Sequence, residues 1–120
     1  AQLSRGLGDV YKRQDITGAM ESYADLTEFL IRYPESEYID AARERLIFLR
    51  NLIASSELDG AEYYLKRGAY LAALNRANYV LKNIPNSTEK QRALDIMKKS
   101  FIELGYEEYA EKVSSVEALN

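Results

Sequence analysis

The sequence contains no cysteine and no histidine in 120 residues. Their absence excludes disulfides, thiol nucleophiles, imidazole bases and the usual zinc sites from this chain. A glycine-rich phosphate loop is missing as well. Carboxylates remain, but even the densest cluster, Glu57, Asp59 and Glu62, is more simply a solvent-facing run on one helix. We therefore expect a protein that is not an enzyme and that uses no cofactor and no metal.

The charge pattern and the hydropathy pattern also exclude classes of partner. The formal net charge is −3, and no block of basic residues is long enough to follow a nucleic-acid backbone. No apolar run approaches the roughly 18 residues that span a bilayer. The chain start carries no signal-peptide pattern. We expect neither a nucleic-acid partner nor a membrane-spanning segment in these residues.

The first 14 residues, AQLSRGLGDVYKRQ, differ in character from the rest. They contain two glycines and three basic residues, and they have no helical apolar stripe. The string LGDVYKRQ resembles translated adapter read-through at the ends of proteins assembled from environmental sequencing. We predict that residues 1–14 are a non-native or disordered tail and that residues 15–120 form one helical-repeat domain, a fragment of a longer protein.

The remaining sequence predicts an all-α fold. Apolar residues recur at spacings of three and four, and strand-like alternation is absent. Four helix breakers, Pro34, Gly68, Pro85 and Gly105, divide the chain into about five helices. Ser36 after Pro34, and Asn86, Ser87 and Thr88 after Pro85, are candidate caps.

The second predicted helix, from the Ser36 cap to Arg67, is unusually long at about 30 residues. Its main apolar stripe includes Ala42, Leu49 and Ile53. Other apolar residues, Ile47, Phe48, Leu52 and Leu65, widen this stripe, which predicts packing on more than one side, as in an internal solenoid helix. Glycine at position 60 lowers the stability of the helix by roughly 1 kcal/mol relative to alanine, so Gly60 is a candidate position for a kink.

The stretch Tyr63 to Ser87, YYLKRGAYLAALNRANYVLKNIPNS, combines a helix end, a tight turn, a helix and a stop. Gly68 and Pro85 lie 17 residues apart, with aromatic residues and alanines between them. This arrangement resembles the second half of a tetratricopeptide repeat, whose helix pairs stack into a solenoid. Such solenoids bind other proteins.

Four segments together resemble one family. They are RYPES, ARERLIFLRN, the Tyr63–Ser87 stretch with its preceding Ala-Glu, and ALDIMKKSFIELGYEEYAEKV. They resemble the C-terminal half of the BamD family, also called ComL, the lipoproteins of the outer-membrane β-barrel assembly machinery. The resemblance covers essentially Asp15 to Val113. The most specific parts are RLIFLRN, YYLKRGAY and the pair Asn75 and Arg76.

This resemblance implies a protein-binding scaffold on the periplasmic face of the outer membrane of a Gram-negative bacterium. Its partners would be the barrel-forming subunit, whose periplasmic domains it would dock, and accessory lipoproteins. The lipid-attached cysteine, the signal peptide and the N-terminal repeats of the family are not in this sequence, so we expect membrane contact only through an anchor outside it. The alternative is a generic tetratricopeptide-like adaptor in another periplasmic or cytosolic complex.

Arg76 is the first candidate binding residue, because its stripe otherwise carries small or apolar residues such as Ala73 and Val80. A charge in that position needs a partner. One interpretation is an intramolecular ion pair with Glu62 or Asp95. The other, which the family resemblance around Asn75 and Arg76 favours, is an acidic group of the barrel-forming subunit.

Further candidates surround the Gly68 turn. Arg67 would add to the same basic surface, with Tyr70 and Tyr79 as an apolar rim. Tyrosine is frequent at protein interfaces and also at solenoid packing positions. We expect Tyr64 and Tyr70 to pack in the core. The predicted protein-binding residues are Arg67, Tyr70, Asn75, Arg76 and Tyr79, with Tyr63 as a possible further contact.

Overall fold

The computed structural model describes the backbone of residues 2–119 and the side chains of residues 16–119. Within this range the secondary structure is helical throughout, without a strand. The helices are α1 (Gln2–Arg32), α2 (Ile39–Lys66), α3 (Tyr70–Asn83), α4 (Lys90–Glu103) and α5 (Glu107–Ala118). The chain divides within α2 into two compact units, one ending at Ile53 and one beginning at Ala54. The predicted all-α, tetratricopeptide-like fold is confirmed.

The predicted helix breaks coincide with those of the structure. Pro34, Gly68, Pro85 and Gly105 each lie in one of the four interhelical segments. Helix α2 has 28 residues, close to the expected length, and α1 is as long, with 31 residues. Helix α1 begins at Gln2, upstream of residue 15, where the predicted helical-repeat domain begins. Side chains 1–15 lie outside the described residues, so a non-native or disordered segment 1–14 stays a prediction.

Both glycine turns close their helices with the same hydrogen bonds. Gly68 and Gly105 adopt φ values of +79° and +86°, which side chains disfavour. The N–H after Gly68, that of Ala69, donates to the Tyr64 carbonyl at 2.9 Å. The N–H after Gly105, that of Tyr106, donates to the Phe101 carbonyl at 2.8 Å. This is the Schellman pattern, which satisfies carbonyls that the helix end leaves free.

The two proline turns also share one geometry. Ser36 Oγ accepts from the N–H of Tyr38 at 3.2 Å, and Ser87 Oγ accepts from the N–H of Glu89 at 3.3 Å. Both serines therefore accept a hydrogen bond in the turn before a helix. Ser87 is not the predicted helix cap, because the N-cap residue of α4 is Glu89 and no side chain caps it. Because the two turns repeat the same contacts, they support the interpretation of the chain as a helical repeat.

The core of the second unit consists largely of alanine. Its buried side chains come from the C-terminal half of α2 and from α3 and α4; they are Ala54, Leu58, Ala61, Ala73, Ala77, Val80, Ala93 and Ile96. Alanine side chains are short, so helices that meet through them approach closely. In this unit α3 contacts α4, and α4 contacts α5.

One expectation about α2 is wrong. Ile47, Phe48 and Leu52 do not extend a buried stripe, since they are 46%, 55% and 40% exposed. The helix does bury more than one face, but the second face is formed by Ala54, Leu58 and Ala61, which are fully buried. These positions are covered because α3 and α4 pack along the C-terminal half of α2.

Among the described residues, no helix combines the length and the apolar character needed to cross a bilayer.

Gly105 provides a direct test of the glycine turns. A Cβ at this position would meet nothing within 4 Å, so any effect of a substitution comes from the backbone. We expect Gly105→Ala to lower the free energy of unfolding by about 1 to 2 kcal/mol, because L residues pay this amount in the left-handed region. Gly105→Asn should cost clearly less, since asparagine tolerates that region. Equal losses in urea denaturation would contradict the conformational explanation.

Candidate protein-binding site

Helices α2 and α3 form an antiparallel hairpin around Gly68, and this hairpin places Arg76 against α2. The Arg76 guanidinium lies in a shallow groove that we call the Arg76 groove, lined by Glu57, Gly60 and Tyr64. Its carbon Cζ stands 5.3 Å from the centre of the Tyr64 ring, in a cation–π contact. Its Nη1 lies 3.6 Å from Glu57 Oε2. The groove residues follow helical spacing, so they share one face of α2.

Gly60 makes the groove possible. A Cβ on Gly60 would lie 2.8 Å from Arg76 Nη1 and 3.4 Å from Cζ, which is too close for the nitrogen. The helix continues without a break through Gly60. The glycine at this position provides room for the guanidinium to lie against the α2 backbone.

The guanidinium of Arg76 has unused hydrogen-bonding capacity. The distance to Glu57 is too long for a hydrogen bond, and the group donates none to residues 16–119. Arginine has five N–H donors. The side chain is 42% exposed, so part of it faces solvent. The groove therefore holds the charge in place without using its donors.

A continuous row of aromatic and basic side chains leads from Arg76 to Arg67. The rings of Tyr64 and Tyr63 meet edge to face, with centroids 5.7 Å apart. The Arg67 carbon Cζ stands 4.2 Å from the centre of the Tyr63 ring. We call these four residues the basic–aromatic row. The structure thus joins the two predicted arginines through two tyrosines.

The other predicted residues occupy different parts of the hairpin. Tyr70 is half-buried, with its hydroxyl 3.9 Å from where a Cβ of Gly68 would lie. Asn75 and Tyr79, one helical turn apart on α3, are exposed. Tyr64 packs against the core as expected, and Tyr63 is half exposed. Tyr70, which was also expected in the core, is only partly buried and lies outside the core cluster. A role in binding stays a prediction for each of the five.

The sequence did not indicate the role of Arg92. This arginine of α4 donates from Nη2 to Asp59 at 2.6 Å and from Nε to Glu62 at 2.9 Å. Its Nη1 donates to the carbonyl of Ser55 at 3.5 Å. All three acceptors lie on α2, so Arg92 clamps α4 to α2. Sequence alone gave no signal for it, because the acceptors lie about 30 residues upstream.

These contacts correct two expectations. Arg76 pairs with Glu57, and not with Glu62 or Asp95, because Glu62 is occupied by Arg92 and Asp95 lies near Lys98. The acidic run of α2 is also more than a solvated face. Its carboxylates divide between Arg76 on one flank of the helix and Arg92 on the other.

The charges of the clamp stabilise each other. The hydrogen bond from Arg92 lowers the pKa of the Glu62 carboxyl below its usual range, against a smaller opposing effect of burial. Glu62 in turn raises the pKa of the Arg92 guanidinium. Among the described side chains, no group of three or more acidic residues is arranged to hold a metal ion. Glu57, Asp59 and Glu62 each pair with an arginine.

The fold and the site define a tetratricopeptide-like helical-repeat protein with an exposed basic–aromatic surface at one turn. The sequence pattern of the YfiO family, described as an outer membrane lipoprotein, matches residues 2–116. The chain therefore belongs to this family, and the resemblance to BamD is confirmed by its relatives.

Several curated relatives carry the name outer membrane protein assembly factor BamD. The protein of Vibrio cholerae is 32% identical over 99 residues, which are 82% of this chain and 41% of the relative. That of Xylella fastidiosa is 33% identical over 104 residues, 87% of this chain and 36% of the relative. That of Neisseria meningitidis serogroup A is 34% identical over 85 residues, which are 71% of this chain and 32% of the relative. The chain thus spans about two fifths or less of the length of these relatives.

The clamp predicts a pH dependence of stability. Because the folded-state pKa of Glu62 is lowered, its contribution is complete above the usual value of 4.5 and is lost as the pH falls through the lowered pKa. We expect Glu62→Gln to reduce the free energy of unfolding at pH 7 by about 1 kcal/mol. The difference from the wild type should shrink below pH 4.5.

Glu111→Gln is the matched control, since Glu111 is exposed on α5. Urea denaturation at a series of pH values should show little change for this variant. A constant deficit of Glu62→Gln across the acid range would show that the lost stability does not come from the ionised pair.

The Arg76 groove predicts a coupling between Gly60 and Arg76. Gly60→Ala gains roughly 1 kcal/mol of helix propensity but displaces the Arg76 guanidinium from the groove. In an Arg76→Ala background only the gain in helix propensity remains. Gly60→Ala should therefore stabilise the Arg76→Ala variant more than it stabilises the wild type, by about 0.5 kcal/mol or above. Gly18→Ala is the control, because its Cβ would meet nothing within 4 Å. Equal effects of Gly60→Ala in both backgrounds would contradict the close contact.

Proposed function

We propose that this chain is part of a protein-binding scaffold of the outer-membrane protein assembly machinery. In this proposal the hairpin of α2 and α3 docks the periplasmic domains of the barrel-forming subunit. The role is binding and not catalysis. Membership of the family supports a role in this machinery, because its relatives are named outer membrane protein assembly factors.

The observation that carries the docking site is the state of Arg76. Two arginines reach α2, and they differ in how their donors are used. Arg92 makes hydrogen bonds to two carboxylates and a carbonyl, whereas Arg76 makes none within residues 16–119. A planar guanidinium with free donors binds a carboxylate through two parallel hydrogen bonds. Arg76 is therefore the arginine suited to an acidic group of a partner.

The basic–aromatic row extends the proposed contact. Tyr63 is 50% exposed and offers ring surface beside Arg67. Tyr79 is 40% exposed and lies three residues after Arg76 on α3. Tyrosine and arginine are enriched among the residues that dominate binding energy at interfaces. An acidic group on Arg76 with apolar contacts to the tyrosines would give such an interface a central charged anchor.

The proposed location follows from the proposed partner. Docking of periplasmic domains places the scaffold on the periplasmic face of the outer membrane, with accessory lipoproteins as further partners. Membrane attachment would come from a lipid anchor outside these residues.

Charge reversal at Arg76 tests the docking site. Arg76→Glu should weaken binding to the purified periplasmic domains of the cognate barrel-forming subunit by at least about 100-fold, because a buried hydrogen-bonded charge pair is lost and replaced by repulsion. Calorimetric titration measures the affinity, and circular dichroism with a thermal scan checks the fold.

Two further variants make the result decisive. Arg76→Met keeps the aliphatic stem and removes only the charge, so it should bind weakly even if Arg76→Glu is poorly folded. Arg43→Glu makes the same charge change at an exposed position of α2 and should bind nearly as the wild type does. Unchanged affinity of a folded Arg76→Met would refute Arg76 as the docking residue.

A further inference from the structure

We infer that Glu57 is an internal competitor for Arg76, so that the Arg76 groove is a resting position from which the partner's carboxylate must take the guanidinium. This inference rests on the proposed function, since it concerns the regulation of the same site. It assigns to Glu57 and Gly60 a role in setting the affinity of docking.

The geometry of the pair with Glu57 is that of a weak, replaceable contact. The two charged atoms stand 3.6 Å apart, beyond hydrogen-bond distance. The Glu57 side chain is 25% exposed and that of Arg76 is 42% exposed, so solvent screens the attraction. Attraction without a hydrogen bond holds the charge in position but leaves every donor available.

A partner's carboxylate offers more than Glu57 does. Two short parallel hydrogen bonds to the guanidinium plane are stronger than one separated charge contact. The exchange therefore favours the partner, but the contact with Glu57 must first be given up. The free energy of docking is therefore less favourable, by the free energy of the Glu57 contact, than it would be for a guanidinium without an internal carboxylate.

Gly60 determines where the guanidinium rests. With a glycine at this position the group lies against α2, in contact with Glu57 and with the Tyr64 ring. A Cβ would lie 2.8 Å from Nη1 and would push the group away from the helix. Glu57 and Gly60 thus act together, one through charge and the other through space, to keep Arg76 on its own chain until a partner arrives.

Removal of the competing charge should tighten docking. We expect Glu57→Gln to bind the periplasmic domains of the barrel-forming subunit about two- to fivefold more tightly than the wild type, the range that an exposed ion pair supplies. In the double variant Glu57→Gln, Arg76→Met, this gain over Arg76→Met alone should vanish, because the competition no longer has a target.

The control must separate this effect from a general change in charge. Asp59→Asn removes the same charge two residues away, but Asp59 contacts Arg92 at 2.6 Å on the other flank of α2. The affinity of Asp59→Asn should differ from that of the wild type by less than the affinity of Glu57→Gln does. When binding is measured at two salt concentrations, the affinity of Glu57→Gln should depend more strongly on salt than that of the wild type does.

The outcomes distinguish the two proposals. If folded Arg76→Met binds as the wild type does, the docking proposal is wrong and the competition falls with it. If Arg76→Met loses binding while Glu57→Gln binds equally or more weakly, docking stands and the competition is refuted. If Glu57→Gln binds more tightly only when Arg76 is present, and Asp59→Asn does not, the competition is supported.

Discussion

The close approach of helices through alanine is the constraint on which the second unit depends. Ala54 and Ala61 of α2, Ala73 and Ala77 of α3, and Ala93 of α4 are all fully buried. Short side chains at these contacts bring the helices near enough for arginines at the edges to reach α2. Larger residues would fill the same space and move α3 and α4 outward. The core therefore sets the positions of both arginines as well as the stability of the unit.

The two arginines show how one residue type serves two purposes in the same unit. Arg92 has hydrogen bonds to α2 from all three of its nitrogens and holds α4 in place. Arg76 rests in a groove on the opposite flank with its donors unused. The difference lies in the acceptors that α2 presents on each flank. An arginine whose nitrogens donate hydrogen bonds within the chain stabilises the fold, whereas an arginine whose donors are unused can bind a partner.

Sequence alone predicted the features that depend on local backbone chemistry. Pro34, Gly68, Pro85 and Gly105 end helices because of their own restricted or permissive dihedral angles, so they could be located without a structure. The family was also recognisable, because its motifs are contiguous strings. The partner of Arg76 and the role of Arg92 could not be predicted, because they depend on the register between helices. The second buried face of α2 was missed for the same reason, since packing and not hydrophobicity decides between Ala54 and Phe48.

The Gly68 turn also sets the register between α2 and α3. Gly60 lies eight residues before it and Arg76 lies eight residues after it, so the two positions face each other across an antiparallel pair. One residue inserted into α3 between Gly68 and Arg76 would rotate Arg76 by about 100° around the helix axis and move it by about 1.5 Å along it. The guanidinium would then no longer lie over Gly60. The number of residues between Gly68 and Arg76 is thus as much a part of the site as the residues that line it.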